Sequence, residues 1–199
     1  MTAPELRPDA TAVAMAVGEP LGSRILDGAA VVAPVAVPGL ADIAVWSVTD
    51  EHGDHPMRLY VGVWPDGAVR TLSADQEAWA ELVAVVGVHL SGPEEARAYV
   101  EAFLEVTRGA MVLVRPVTSL AELSWRPGST DEEAAKESLL ADPPDVAPAV
   151  QVTPSGFRVE LTLVVDQRLQ RNLFDVTPEG TITSSYRVLV DELPLPIVR

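Results

Sequence analysis

Three stretches of the chain share one form: Val63-Trp64-Pro65-Asp66-Gly67, Val152-Thr153-Pro154-Ser155-Gly156 and Val176-Thr177-Pro178-Glu179-Gly180. Proline presets φ at about −65° in the first central position of a turn, and glycine supplies the positive φ that other residues resist. Each stretch borders an alternating apolar run, so each marks a hairpin tip. The expected fold is α+β: two antiparallel β-meanders forming a sheet, with two central helices packed on one face.

Around the first tip, Leu59, Val61 and Val63 face one way and Arg58, Tyr60 and Trp64 the other. The chain returns through Ala68 to Leu72. Upstream, Ile43 and Val45 alternate with Ala44, Trp46 and Val48, apolar on both faces, which predicts a central strand. The polar loop Thr49 to Pro56 joins it to the next. Around the second tip, Phe157, Val159, Leu161, Leu163 and Val165 alternate with Arg158, Glu160, Thr162 and Val164. A shorter strand, Leu173 to Val176, leads to the third tip, and Ile182 to Val190 closes the meander. The tail Leu193 to Pro196 reads as an extended segment lying on the body.

The meanders also align with each other. Pro38 stands 12 residues before Asp50, as Pro154 does before Asp166, and in each case a polar loop, an apolar strand and a Pro-acid-Gly turn follow. A pseudo-repeat is one reading of this pattern; independent hairpins with the same turn chemistry are the other.

Between the meanders lie two helical segments. Ser73 with Gln76, and Ser91 with Glu94, have capping-box spacing. Trp79, Leu82, Val83 and Val86 form one apolar stripe; Ala96, Tyr99, Val100, Phe103 and Leu104 form the next, with Pro93 at its start and Gly109 as its stop. Ala10 to Val17 predicts a short helix ending at Gly18. Val31-Val32 and Val35 to Val37 favour strand, restricted by prolines to an edge or covering arm. Met111 to Val114 predicts a short buried strand closed by Pro116, and Ser119 to Trp125 one helical turn. The resulting plan is an N-terminal arm over 1–40 and one α+β domain over 41–199. Within that domain lie a meander (41–72), helices (74–108), an acidic excursion (126–150) and a second meander (152–190).

Composition bounds the function classes. The 199 residues are 48% hydrophobic, with a mean hydropathy of +0.19. Much of this is Ala and Val, which implies a core of small side chains or an apolar surface covered in an oligomer. Such a composition suits a high-GC bacterial genome. Twenty-nine acids face 14 bases, for a net charge of −15. Nucleic-acid binding needs clustered Lys and Arg to replace condensed counterions, so no nucleic acid is expected as a partner. The same charge opposes an anionic membrane. Ala29 to Leu40 is apolar but broken by Pro34, Pro38 and Gly39, too short to span a bilayer. The absence of cysteine excludes disulfides, thiolate metal sites and cysteine nucleophiles. Met1 to Asp9 lacks the basic start and apolar run of a signal peptide, so a cytoplasmic location is expected.

No phosphate loop, Gly-x-Gly-x-x-Gly, Gly-x-Ser-x-Gly or His-Glu-x-x-His pattern occurs. The densest polar cluster is Asp50-Glu51-His52-Gly53-Asp54-His55. His52, His55 and Asp50 are candidate metal ligands, but they need a further ligand from elsewhere, and a plain polar loop is the better account. His89, near the end of an apolar helix, is expected to be partly buried. No cofactor is expected. Glu160 is the candidate catalytic acid–base residue, should its strand face line a cavity. Arg158 shares that strand face with Glu160 and Thr162 as a candidate binding residue. Tyr60, Trp64 and Tyr186 are candidate pocket aromatics; the alternative is that they cover the sheet beneath the helices. Arg168 and Arg171 form the one compact basic spot, expected in a hairpin connection, where they bind an acidic group or keep the tip soluble. Thr130 to Asp145 carries six acids and one lysine. Its Asp131, Glu132 and Glu133 are a solvated first helical turn or a docking site for a basic partner.

Two function classes follow. The first is a non-catalytic binding or assembly protein, acting through sheet edges or an acidic surface on a protein partner or on itself, as a homo-oligomer or complex subunit. An acidic chaperone or inhibitor is its sharper form. The second is a small cofactor-free enzyme, an isomerase, cyclase or hydrolase, with a sheet-lined apolar pocket.

Overall fold

The computed structural model describes residues 6–52, 57–109, 114–125, 128, 130–193 and 195, without the side chains of 130–132 and 135. The fold is α+β with two antiparallel sheets, of four and five strands. Contacts divide the chain into two compact units. One comprises Met1–Ala110 with Thr177–Thr181; the other comprises Met111–Val176 with Ile182–Arg199.

The first unit opens with α1 (Ala10–Val17), whose N-terminus is capped by Asp9: its Oδ1 accepts from Thr11 N at 2.9 Å and Ala12 N at 3.2 Å. A second short helix, α2 (Leu21–Leu26), follows. It backs so closely on α1 that a Cβ at Gly22 would stand 2.6 Å from the Ala14 carbonyl oxygen. Strands β1 (Val31–Val35), β2 (Val45–Asp50), β3 (Met57–Val63) and β4 (Val69–Thr71) then form a meander in sequence order. Pro34 lies on β1, an edge strand, where a missing N–H costs no ladder bond.

Both faces of this sheet are covered, which explains why β2 is apolar on both sides. On one face Trp46, Val48, Val61 and Val63 pack with Val13, Ala14, Leu21 and Ile25 of the first two helices. Trp46 Nε1 donates to the Leu6 carbonyl at 3.0 Å, satisfying the one polar atom it buries there. On the other face lie α3 (Gln76–Val86) and α4 (Pro93–Thr107), the two helices read from the sequence. A Cβ at Gly62 would meet Leu82 Cδ2 and the Trp64 ring at 2.9 Å, so the bare backbone admits α3 to the sheet. Trp79 meets both Tyr99 and Phe103 in tilted contacts, ring centroids 5.8 Å apart, which join α3 to α4. The expectation of helices on one face thus holds for α3 and α4, and α1 and α2 cover the other.

The caps differ from the sequence reading. Asp75, not Ser73, caps α3: its Oδ1 accepts from Ala78 N at 2.9 Å, while Ser73 Oγ accepts from Tyr60 N at 2.9 Å. Glu95, not Glu94, returns to Ser91, accepting from its N–H and its hydroxyl, both at 2.7 Å. Each expected box is displaced because chain entry at Ala74 (φ 64°) and Gly92 shifts the first helical residue.

The second unit contains β5 (Val114–Pro116), a 3-10 turn (Leu120–Glu122), α5 (Thr130–Ala141), β6 (Ala149–Thr153), β7 (Gly156–Val165), β8 (Arg168–Val176) and β9 (Ile182–Val190). Of the short strand expected at Met111 to Val114, residues 111–113 lie outside the described residues. β7 is central: β8 pairs along its whole length, while β5 and β6 share its other side end to end. β9 pairs with β8. Val164 and Leu169 pack with Val117, Leu120, Leu123, Val146, Leu193 and Leu195, so the tail does lie on the body at Leu193 and Leu195.

All three quoted stretches are hairpin tips. Gly67 N donates to Trp64 O and Gly180 N to Thr177 O, each at 2.9 Å, with φ of 84° at both glycines. Thr153 pairs with Gly156 across the second tip. Gly180 itself is buried within the first unit. Tyr99 Oη donates to Gly180 O at 2.7 Å, and Leu90 N donates to Pro178 O at 2.9 Å.

Candidate functional site

The aromatics of the first unit are core. Tyr60 and Trp64 are buried, and the Arg70 guanidinium stacks 4.7 Å over the Trp64 ring. Tyr60 Oη donates to Glu105 Oε1 at 2.5 Å, and Arg108 pairs with the same carboxylate at 2.9 Å. Burial first, and the Glu105 hydrogen bond second, push the Tyr60 hydroxyl above its ordinary pKa, so it stays protonated and donates.

In the loop expected to hold a metal, Asp50 is buried, ion-paired with Arg24, and accepts the His52 N–H at 3.0 Å. His52 is exposed, and His55 lies outside the described residues. Among the described residues no group of three or more His, Asp or Glu side chains converges as a metal requires. His89 is exposed rather than partly buried. It lies beyond Gly87, which ends α3, so the helical face on which it would have been buried does not reach it.

The acidic residues Asp131, Glu132 and Glu133 lie in the first turn of α5. Glu133 pairs with Lys136 at 3.5 Å; the side chains of Asp131 and Glu132 lie outside the described residues.

The remaining candidates gather on the second sheet. Arg158 holds Asp175 with two bonds, 2.8 and 3.2 Å. Arg168 holds Asp191 at 2.9 Å. Both guanidinium groups have pKa values raised first by these hydrogen bonds. Arg171 does not stand in a hairpin connection. β8 begins at Arg168, the turn is the pair Asp166-Gln167, and Arg171 sits mid-strand opposite Thr162 of β7 and Arg187 of β9. The sequence run Arg168 to Asn172 is polar enough to mimic a loop because its side chains make partners within the sheet. The Arg171 guanidinium pairs with Glu160, donates to the Asp145 carbonyl, and stands 3.9 Å from the Asp145 carboxylate.

Glu160, Arg171, Leu173, Ser185, Tyr186 and Arg187 line a solvent-open depression of about 280 Å³. The structure therefore brings Glu160, Arg171 and Tyr186 together. It adds Ser185 and Arg187, which the sequence reading did not single out.

The setting of this depression is β9. Its residues 183–188 are all exposed, whichever sheet face they point to, with Tyr186 at 66% and Val188 at 45%. Among the described residues β9 has a single neighbour, β8, so its other edge presents unpaired N–H and C=O groups. A sequence signal exists in hindsight: Thr183-Ser184-Ser185 is polar on both faces, which is the mark of a strand covered on neither.

Among the described residues no helix is long and apolar enough to cross a membrane. No protein-family model, no curated protein and no solved structure matches the chain.

Proposed function

We propose that the protein is a non-catalytic binding protein whose working surface is the open edge of β9, onto which an extended segment of a protein partner adds as a further strand. The observation that carries this is the contrast between β9 and the other edges. Proteins blunt edge strands with shortness, proline, charge or bulges. β1 contains Pro34, β4 and β5 have three residues each, β5 ends on Pro116, and β6 has five residues. β9 has nine residues, no proline and one charged side chain, Arg187. Its register step lies near one end, at Leu169/Gln170 of its neighbour.

Charge favours a foreign segment over a second copy. The chain carries −15, which opposes self-association. Yet Ile182–Val190 holds no carboxylate and one arginine, so an acidic segment meets a locally basic edge. The depression beside it supports binding better than catalysis, since Glu160 faces a guanidinium and the cavity is open to water.

The test uses proline. Along a strand, successive residues aim their backbone groups to opposite sides. Of Ser184→Pro and Ser185→Pro, one therefore removes a bond to β8 and the other blocks only the open edge. Random peptides displayed on phage should enrich on the wild-type protein and lose binding to the proline variant that keeps its thermal transition. Equal capture by that variant, or no enrichment, overturns the reading. Light scattering that shows a β9-dependent dimer would assign the edge to a second copy instead.

A further inference from the structure

Resting on the β9 reading, we infer that the depression bounded by Glu160, Arg171, Leu173, Ser185, Tyr186 and Arg187 is a carboxylate-binding subsite, filled by an Asp or Glu side chain of the added strand. Backbone pairing alone makes a weak complex. Half of the backbone groups of residues 183–188 point outward, so an incoming strand gains about six hydrogen bonds, each modest once water is displaced. Association must also offset lost rotational and translational freedom. A side-chain anchor is needed, and this surface has one matched to an anion.

The match comes from an unbalanced charge. Arg171 and Arg187 stand directly opposite each other on β8 and β9. Like charges in that position repel. Arg171 is compensated by Glu160 and by Asp145. Among the described residues Arg187 has no ion-pair partner, whereas Arg158, Arg168 and Arg171 all do. An incoming carboxylate beside Arg187 would complete the pattern, with Ser185 on the same sheet face of the depression. The guanidinium fork favours a carboxylate over a neutral amide through charge-assisted hydrogen bonds. The side chains that point to this sheet face alternate along β9 as Thr183, Ser185 and Arg187, so one position of the added strand is placed to reach it.

The probe is a nonapeptide of alternating threonine and valine with one central glutamate, blocked at both ends, and its central-glutamine counterpart. Titration by calorimetry at low salt should show the glutamate peptide binding about tenfold more tightly, the margin expected of a charge-assisted over a neutral hydrogen bond. Arg187→Ala, an exposed position that leaves the fold intact, should remove that margin, and Arg187→Lys should restore part of it. Equal binding of the two peptides overturns the subsite and leaves the edge reading standing. Arg187-dependent binding of the glutamate peptide that persists in the edge-blocking proline variant keeps the subsite and overturns the edge reading. Absence of binding by either peptide overturns the inference.

Discussion

Replacing Gly22 by alanine sets two physical effects against each other. Gly22 lies inside α2, and intrinsic helix propensity favours alanine over glycine there by about 1 kcal/mol. Packing opposes it. The added Cβ would stand 2.6 Å from the Ala14 carbonyl oxygen and 3.3 Å from its carbonyl carbon. Both are backbone atoms of α1, so no rotamer change relieves the clash. One helix must shift by about 0.8 Å to recover an ordinary contact. Ala14 and Val13 are packed against Val61, Val63 and Trp46, so the shift opens a gap there. Overpacking of this kind costs about 1–3 kcal/mol. Subtracting the propensity gain leaves a net loss of about 1 kcal/mol, or a fall in Tm of about 2–4 °C for a chain of this length. Urea unfolding followed by tryptophan fluorescence reads it, since Trp46 belongs to the same cluster. Gly28→Ala is the control: its φ is +72° with nothing within 4 Å, so strain acts there without a clash. A Gly22→Ala protein as stable as wild type or more so would refute the close approach of α1 and α2.

Three further outcomes follow. Tyr99, fully buried, has its hydroxyl pushed up to about 12 from 10.0 by burial. Between those values the unfolded chain has lost a proton that the folded chain keeps, so stability falls as pH rises, by about 2–3 kcal/mol over the window. Tyr99→Phe should lower stability at pH 7 by about 1–2 kcal/mol, since Gly180 O loses its donor, and should flatten this alkaline slope in pH-dependent melts. An unchanged slope would contradict the burial. Asp75→Ala should cost about 1 kcal/mol through loss of the α3 cap, measured by chemical denaturation, whereas Gln76→Ala should cost little; the reverse order would return the cap to the Ser73 box. Arg171→Met should destabilise by about 1–3 kcal/mol because Glu160 and the Asp145 carbonyl lose their partner, while Arg158→Met, whose pair is on the surface, should leave the unfolding midpoint close to that of wild type.

Much of the fold was legible because local chemistry and tertiary structure agree. Pro-acid-Gly turns, the two-faced apolar pattern before Val48, and the stripes of α3 and α4 each name their element. The misses have physical causes. α2 is six residues long, with a glycine that only a close helix contact explains. The start of β8 is hidden because Arg168, Gln170, Arg171 and Asn172 look like a loop, although Gln170 and Asn172 are buried and Arg171 has partners on neighbouring elements. The candidate site was half legible. Glu160, Arg171 and Tyr186 were singled out for separate reasons; their meeting depends on the β7–β8–β9 register, which no local pattern encodes. Arg187 was overlooked because its significance is the lack of an ion-pair partner among the described residues.

Amide hydrogen exchange along Ile182–Val190, read by NMR with and without the glutamate peptide, tests the central claim most directly. For the free protein the account predicts slow and fast amides in alternation, the slow set bonded to β8 and the fast set facing water, with the fast set becoming protected on addition of peptide. Uniform protection in the free protein, or fast amides unmoved by the peptide, would contradict an open edge that takes a strand.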